Sequence, residues 1–268
     1  MDLFIDKGYG IARIRIEESD KNYNYVLWCE ETSECAVIDP LDAKTLLNFI
    51  RDRKLRAKYV INTHAHPDHI EGNETMRKAT FANILIHPIG RVFISSESEA
   101  IDEGSAIEIG RQKINVIHTP GHCPEHVSLI FHENVFVGDT LLLAGCGNTR
   151  YRGYVDQLYD SIEIKLRTLP ESYRIFCGHD YSETNLRFAL SIEPHNEAAR
   201  VKLDEVRSSY KNGKEPNPTT IGEEKKYNPF FRFDIPEVVR EIKKRKPSVE
   251  DDARSIFKEL REMRNNWK

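Results

Sequence analysis

The chain contains the stretch Thr63-His64-Ala65-His66-Pro67-Asp68-His69, in which three histidines and one aspartate lie within six consecutive positions. All four side chains are good ligands for a divalent metal ion. The stretch follows the short apolar run Tyr59-Val60-Ile61, which predicts a buried strand. A strand that ends in a loop with metal ligands is typical of an enzyme site. We therefore predict a metal centre at this position rather than a solvated polar turn.

Three further candidate ligands occur in the same local setting, because each follows a short apolar run and has a glycine beside it that permits a tight turn. They are His122, Asp139 and His179. The full set of candidate metal ligands is His64, His66, Asp68, His69, His122, Asp139 and His179. One structural zinc needs four ligands. Seven ligands therefore predict two divalent metal ions, with the first two histidines on one metal and Asp68 with His69 on the other.

Length and composition are those of a globular protein, since 268 residues with a net charge of −4 can bury a sizeable core. No apolar run approaches the roughly 20 residues that span a bilayer, and no basic strip interleaved with aromatic residues indicates nucleic-acid binding. The five scattered cysteines argue against a disulfide framework and for a reducing compartment. We expect a cytoplasmic monomer with neither a membrane nor a nucleic-acid partner.

Periodicity changes near residue 180. Up to that point short apolar runs alternate with polar turns, which predicts a strand-rich catalytic domain of the α/β (α+β) class over residues 1–180. After it, helical spacing predicts a helical C-terminal domain over residues 181–268. Ser248 is the predicted N-cap of the last helix, over 248–266, because a serine hydroxyl can accept a hydrogen bond from a first-turn N–H.

The order of these ligands resembles that of the metallo-β-lactamase superfamily. The match includes the Thr-His-x-His-x-Asp-His motif, then His122, then the Gly138-Asp139-Thr140 turn, then His179. The resemblance implies a four-layer αβ/βα sandwich with the metals at the edge between its two sheets. Zinc is the expected metal, with iron or manganese as alternatives, because histidine and carboxylate ligands suit all three.

Downstream segments are similar to the hydroxyacylglutathione hydrolases, the glyoxalase II family. They are Cys177 to Ala189, Glu223 to Arg232 and Leu260 to Trp267. The resemblance implies hydrolysis of a glutathione thioester of the S-D-lactoylglutathione type to glutathione and a 2-hydroxy acid. It also implies a hydroxide that bridges the two metals, with Asp139 as the shared carboxylate and Asp68 orienting the hydroxide. The implied contacts to glutathione, through the C-terminal domain and the turns before it, are Tyr151, Tyr181, Arg261 and Arg264.

One segment departs from this family. Its members usually have Ala-Gly-Cys-Gly followed by a lysine and two aromatic residues, whereas here Ala144-Gly145-Cys146-Gly147 is followed by Asn148-Thr149-Arg150-Tyr151. The lysine that would touch glutathione is therefore absent, and the sequence leaves open whether Arg150 replaces it.

Two other enzyme activities stay open on the sequence. The segments 145–149 and 158–162 are similar to the persulfide dioxygenases of the same superfamily. Those enzymes use one iron, held by residues that match His64, His122 and Asp139. A less specific metallo-thioesterase is the other alternative. From a different class, a glutathione- or metal-binding protein without turnover is opposed by the intact ligand set.

Overall fold

The chain packs into two compact units in this computed structural model, which describes residues 1–17 and 19–267. The first unit comprises residues 1–118 and 125–138, and the second comprises residues 119–124 and those from 139 onward. These units are not the sequence domains divided at residue 180, and that division stays a prediction.

The first unit contains a seven-stranded sheet whose spatial order follows the chain. Its strands are β1 (Asp2–Asp6), β2 (Tyr9–Arg15), β3 (Tyr23–Cys29), β4 (Glu34–Ile38), β5 (Arg56–Ile61), β6 (Asn83–Ile86) and β7 (Ser98–Ala100). The first four strands pair antiparallel, and β4 to β7 pair parallel. The connections of the parallel part carry helices, namely α1 (Ala43–Asp52), α2 (Pro67–Ile70) and α3 (Asn73–Thr80), and the 3₁₀ turn Pro88–Phe93.

Four more strands of this unit form an antiparallel meander. They are β8 (Ala106–Ile109), β9 (Gln112–His118), β10 (Val127–Phe131) and β11 (Asn134–Gly138). Alternation along β3 places Val26 in the buried core cluster that also contains Leu46 of α1. It turns Tyr25 the other way, against Phe136 of β11, with ring centroids 5.1 Å apart. Helices, sheet and meander are thus successive layers of this unit.

The second unit is mainly helical. Its strands are β12 (Leu141–Leu142), β13 (Gly145–Cys146), β14 (Arg174–Cys177) and β15 (Thr219–Thr220). Its helices are α4 (Val155–Asp160), continued by the π-helical turn Ser161–Leu166, then α5 (Ser182–Ile192), α6 (Glu197–Lys211), α7 (Ile221–Tyr227), α8 (Pro236–Arg245) and α9 (Ala253–Asn265), with a 3₁₀ turn at Pro229–Phe231. Within residues 1–17 and 19–267, no helix combines the length and the apolar character needed to cross a membrane.

The predicted start of the last helix is wrong. Helix α9 begins at Ala253, and its N-cap is Asp252, whose side chain accepts a hydrogen bond from the Ser255 N–H at 3.0 Å. Aspartate caps as well as serine does, and Asp252 stands immediately before the amphipathic stretch. The helix therefore begins at Ala253 rather than directly after Ser248.

Candidate metal centre and substrate cavity

Four of the predicted ligands lie on the turn that leads from β5 into α2 in the first unit. Pro67 occupies the first position of α2, where its fixed φ favours the helix and its missing N–H costs nothing. His66 precedes it with an extended backbone. The chain therefore reverses sharply after the buried strand, and the histidines and Asp68 crowd into one region.

Within this turn the ligand candidates lie in pairs. His64 Nε2 and His66 Nδ1 are 3.0 Å apart, and His69 Nε2 is 3.5 Å from Asp68 Oδ2. The Thr63 hydroxyl donates its hydrogen to Asp39 Oδ2, so it accepts a hydrogen bond from His64 Nδ1 at 3.0 Å. The lone pair of the His64 ring is therefore on Nε2. The division of these pairs between two metal ions stays a prediction, since His64 also lies close to His69, with ring centroids 4.1 Å apart.

Asp39 orients this turn, and the sequence did not single it out. Its Oδ1 accepts the Thr63 N–H at 2.7 Å, and its Oδ2 accepts the Thr63 hydroxyl at 2.6 Å and lies 3.0 Å from His69 Nδ1. The carboxylate therefore holds the His69 ring with Nε2 facing Asp68. Asn22 holds the other partner, because its Nδ2 donates to Asp68 Oδ2 at 2.9 Å.

We predict that Asp39→Asn weakens metal binding about 10- to 100-fold, the usual cost of losing a residue that orients a metal-bound histidine. An amide nitrogen cannot accept a hydrogen bond, so whichever carboxylate oxygen it replaces, at least one bond from Thr63 or His69 is lost. Competition with a fluorescent chelator measures the affinity. Asp42→Asn is the matched control, since Asp42 caps α1 and asparagine caps equally well. Equal metal affinity in wild type and Asp39→Asn would remove the orienting role.

His126 and His118 are two further histidines close in sequence to the ligand motifs, and their surroundings differ. His126 is fully buried and stacks on His64, with ring centroids 4.9 Å apart. Gly138 permits this, because a Cβ there would lie 2.6 Å from both His126 Nε2 and Thr63 Oγ1. His118 instead stacks on His87, with ring centroids 4.4 Å apart.

The second unit carries the other three predicted ligands, gathered around one carboxylate oxygen. Asp139 Oδ2 is 3.2 Å from His179 Nε2 and 3.6 Å from His122 Nε2. His122 Nδ1 donates to the Asn148 carbonyl at 2.7 Å, so its lone pair is on Nε2, toward Asp139. All three side chains are buried. Gly147 closes the group, since a Cβ there would lie 1.9 Å from the Asp139 carbonyl oxygen.

A cavity of about 190 Å³ opens beside this group within the second unit. Its walls include His122 and Asp139, and also three arginines, Arg150, Arg261 and Arg264. Burial and, next, the charge of Arg261 hold the pKa of Arg264 below its usual value. Clustered guanidinium groups with little solvent are stabilised by an anion, and carboxylates bind arginine bidentately. The cavity therefore suits a ligand with carboxylate groups.

The predicted substrate contacts are distributed unevenly around this cavity. Tyr181 lines it and stacks on His179, with ring centroids 5.3 Å apart. Arg264 also lines it and donates from two nitrogens to Asn185 Oδ1, at 3.0 and 3.1 Å. Arg261 is only 5% exposed and donates to the carbonyl oxygens of Cys146, in β13, and of Gly147, directly after it. Tyr151 is 66% exposed and is not among the described residues that line the cavity.

The donors present fit divalent metals. Each of the five predicted histidine ligands has a ring nitrogen within 3.6 Å of another candidate ligand atom, and Asp68 and Asp139 add carboxylate oxygens. Imidazole with carboxylate is the ligand chemistry that zinc, iron and manganese share. The assignment of these residues to particular metal ions remains a prediction.

Two family models match the chain. The one described as metallo-beta-lactamase superfamily covers residues 21–179, and the one described as hydroxyacylglutathione hydrolase C-terminus covers residues 180–267. Together they cover residues 21–267, and they meet at the candidate ligand His179.

Known proteins are similar over nearly the full length. A hydroxyacylglutathione hydrolase of Polaromonas sp. is 36% identical, over 96% of this chain and 99% of that protein. A cytoplasmic hydroxyacylglutathione hydrolase of Arabidopsis thaliana is 32% identical, over 92% of this chain and 95% of that protein. Among solved structures, ETHE1 from Myxococcus xanthus matches with a TM-score of 0.67 and 25% identity, over 96% of this chain and 99% of that one.

Proposed function

This chain belongs to the hydroxyacylglutathione hydrolase family of the metallo-β-lactamase superfamily, and on this premise we propose that it hydrolyses S-D-lactoylglutathione or a similar 2-hydroxyacyl thioester. The chain is a thioester hydrolase with the α/β sandwich of that superfamily and a C-terminal helical region, as its sequence predicts. The superfamily implies a binuclear metal site with histidine and aspartate ligands.

One observation carries the substrate assignment. The cationic cavity of the second unit is lined by two of the candidate metal ligands, His122 and Asp139, and also by the arginines of helix α9. Glutathione has two carboxylates and a sulfur that carries the acyl group. Arginines that hold a carboxylate in this cavity would leave the thioester end of the molecule toward the ligand candidates. We assign Arg264 and Tyr181 to this binding and keep Arg261 and Tyr151 as proposed contacts.

The proposed metal ligands are all seven residues predicted from the sequence, shared between two zinc, iron or manganese ions. Divalent metals held there would supply Lewis acidity and lower the pKa of a coordinated water to about 7. The residues of this chain fix where that chemistry occurs: Asp39 and Asn22 orient His69 and Asp68. The leaving thiolate needs no strong general acid, because a thiol pKa near 8.5 is low.

The persulfide dioxygenase alternative is not favoured. The full-length relatives at 36% and 32% identity are hydroxyacylglutathione hydrolases, and the C-terminal family model covers the whole helical end.

The remaining proposals concern the cellular compartment, the oligomeric state and the partners of the protein. All five cysteines are free thiols, which supports a reducing compartment such as the cytoplasm. A monomer that binds neither membrane nor nucleic acid stays a prediction.

Metal removal tests the metal-dependent hydrolysis. We expect chelator-stripped protein to lose at least about 100-fold in the rate of S-D-lactoylglutathione hydrolysis, since metal assistance contributes several kcal/mol. Adding back zinc, iron or manganese should restore the rate, and calorimetric titration should saturate at two ions per chain. Full activity after stripping, verified by elemental analysis, would refute the proposal, and saturation at a single ion would refute its binuclear form.

A further inference from the structure

A buried carboxyl group outside the ligand set, that of Glu224 on α7, has no place in the proposed reaction. It is 0% exposed and lies beside Tyr227, which packs in the helical core. Burial, only partly offset by its hydrogen bonds, raises the pKa of Glu224 to about 7. Burying an ionisable group in this way opposes folding unless its contacts compensate. Those contacts lead to the cavity.

The Glu224 carboxyl group forms hydrogen bonds that stabilise the turn between β12 and β13. Its Oε2 accepts the Ala144 N–H at 2.9 Å and the Asn228 side-chain N–H at 2.7 Å. The same Asn228 amide group donates to the Gly145 carbonyl at 3.1 Å. Ala144 has a φ of 53°, in the left-handed region that a residue with a Cβ adopts only when its surroundings impose it. The carboxyl and the amide together impose this turn.

This turn also positions two backbone carbonyl groups that accept hydrogen bonds from Arg261, an arginine of the cavity. Directly after it, the carbonyls of Cys146 and Gly147 accept from Arg261 Nη1 at 2.7 and 3.2 Å. These two residues line the cavity, as does Arg261. Any relaxation of Ala144 would redirect both carbonyls, since they lie two and three residues further on. The position of the guanidinium therefore depends on the contacts of Glu224.

We propose that Glu224, acting with Asn228, is a positioning residue that sets the affinity of the cavity for the glutathione part of the substrate without entering the reaction. This inference rests on the proposed function. It assigns to the buried carboxyl a role in KM and in ligand affinity, and none in kcat.

Paired substitutions separate this role from a merely structural one. Glu224→Met keeps a side chain close to glutamate in length but cannot accept a hydrogen bond, so it leaves the Ala144 N–H and the Asn228 amide without their acceptor. Glu224→Gln keeps an acceptor oxygen. For Glu224→Met we expect KM for S-D-lactoylglutathione to rise about tenfold, with kcat within about threefold of wild type. The reason is that the weakened contact binds the substrate equally in the ground state and in the transition state. Glu224→Gln should restore KM to within about threefold.

Calorimetric binding of S-methylglutathione, which carries no acyl group to hydrolyse, gives a readout independent of turnover. Its Kd should rise in parallel with KM in Glu224→Met. Glu223→Ala is the matched control: this neighbour forms the capping box of α7 with Thr220. It should lower the melting temperature and leave KM and Kd unchanged.

The inference is overturned if Glu224→Met, with a cooperative melting transition, binds S-methylglutathione within about twofold of wild type. It is also overturned if kcat alone falls. If Glu224→Met does not fold, Asn228→Ala replaces it and is judged by the same Kd and KM criteria. A wild type that binds S-methylglutathione but cleaves no thioester refutes the proposed function, and the Kd ratio of the variants still decides this inference.

Discussion

Asp139→Asn is expected to lower kcat/KM for S-D-lactoylglutathione by roughly 10²- to 10³-fold, because metal assistance provides several kcal/mol and each 1.36 kcal/mol is a factor of ten. The structural reason is the position of Oδ2, which lies within 3.6 Å of Nε2 of both His122 and His179. Asparagine keeps the shape of this side chain and removes its negative charge. We expect the metal content, measured by elemental analysis, to fall below two ions per chain in the same variant.

The control for this loss is Asp156→Asn. Asp156 is an exposed aspartate of α4 that pairs with Lys258 and Arg254 on the surface. Its substitution should leave kcat/KM and metal content at wild-type levels. If Asp139→Asn kept its metal and retained a kcat/KM within about tenfold of wild type, Asp139 would not be a shared ligand.

Arg264→Ala is expected to raise KM about 10- to 100-fold with kcat within about threefold of wild type, the range that loss of a hydrogen bond to a charged group produces. Arg264 lines the cavity, and its pKa is lowered first by burial and then by the charge of Arg261. A substrate carboxylate beside it should therefore stabilise the charged form of this arginine. Because the glutathione part is bound equally in the ground and transition states, kcat should not follow KM.

Arg254→Ala on the same helix is the matched control for Arg264→Ala. Arg254 donates to Asp160 at 2.6 Å, on the surface, and is not among the described residues that line the cavity. It removes the same charge from α9 and should leave KM unchanged. A fall in kcat with constant KM in Arg264→Ala would contradict substrate binding by this arginine. Arg261→Ala is less informative, since it also leaves two backbone carbonyls without their donor.

The ligand turns could be predicted from the sequence because metal ligands are few in type and dense in position. His64 to His69 stand out in any polar turn, and the strand before them is apolar. Asp39 could not be found in this way. It follows Ile38 and precedes Pro40, as an aspartate in an ordinary turn does, and its partner Thr63 lies 24 positions away.

Burial of charged helix residues also escaped sequence reasoning. A glutamate or an arginine on a helix is usually exposed, yet Glu224 and Arg261 are both buried. Their hydrogen-bond partners lie 80 and 115 positions away, in the segment around β13. Only the tertiary fold brings those backbone groups to them. The sequence prediction misplaced the N-cap for a simpler reason, since Ser248, Asp251 and Asp252, all of residue types that cap helices well, lie within five positions.

The most direct test is steady-state hydrolysis of S-D-lactoylglutathione by the metal-loaded wild-type chain, with oxygen uptake on glutathione persulfide measured on the same preparation. We predict thioester cleavage with a kcat/KM between about 10⁴ and 10⁸ M⁻¹s⁻¹, the range of efficient enzymes, and no oxygen uptake. Oxygen consumption with the persulfide and no cleavage of the thioester would contradict the account.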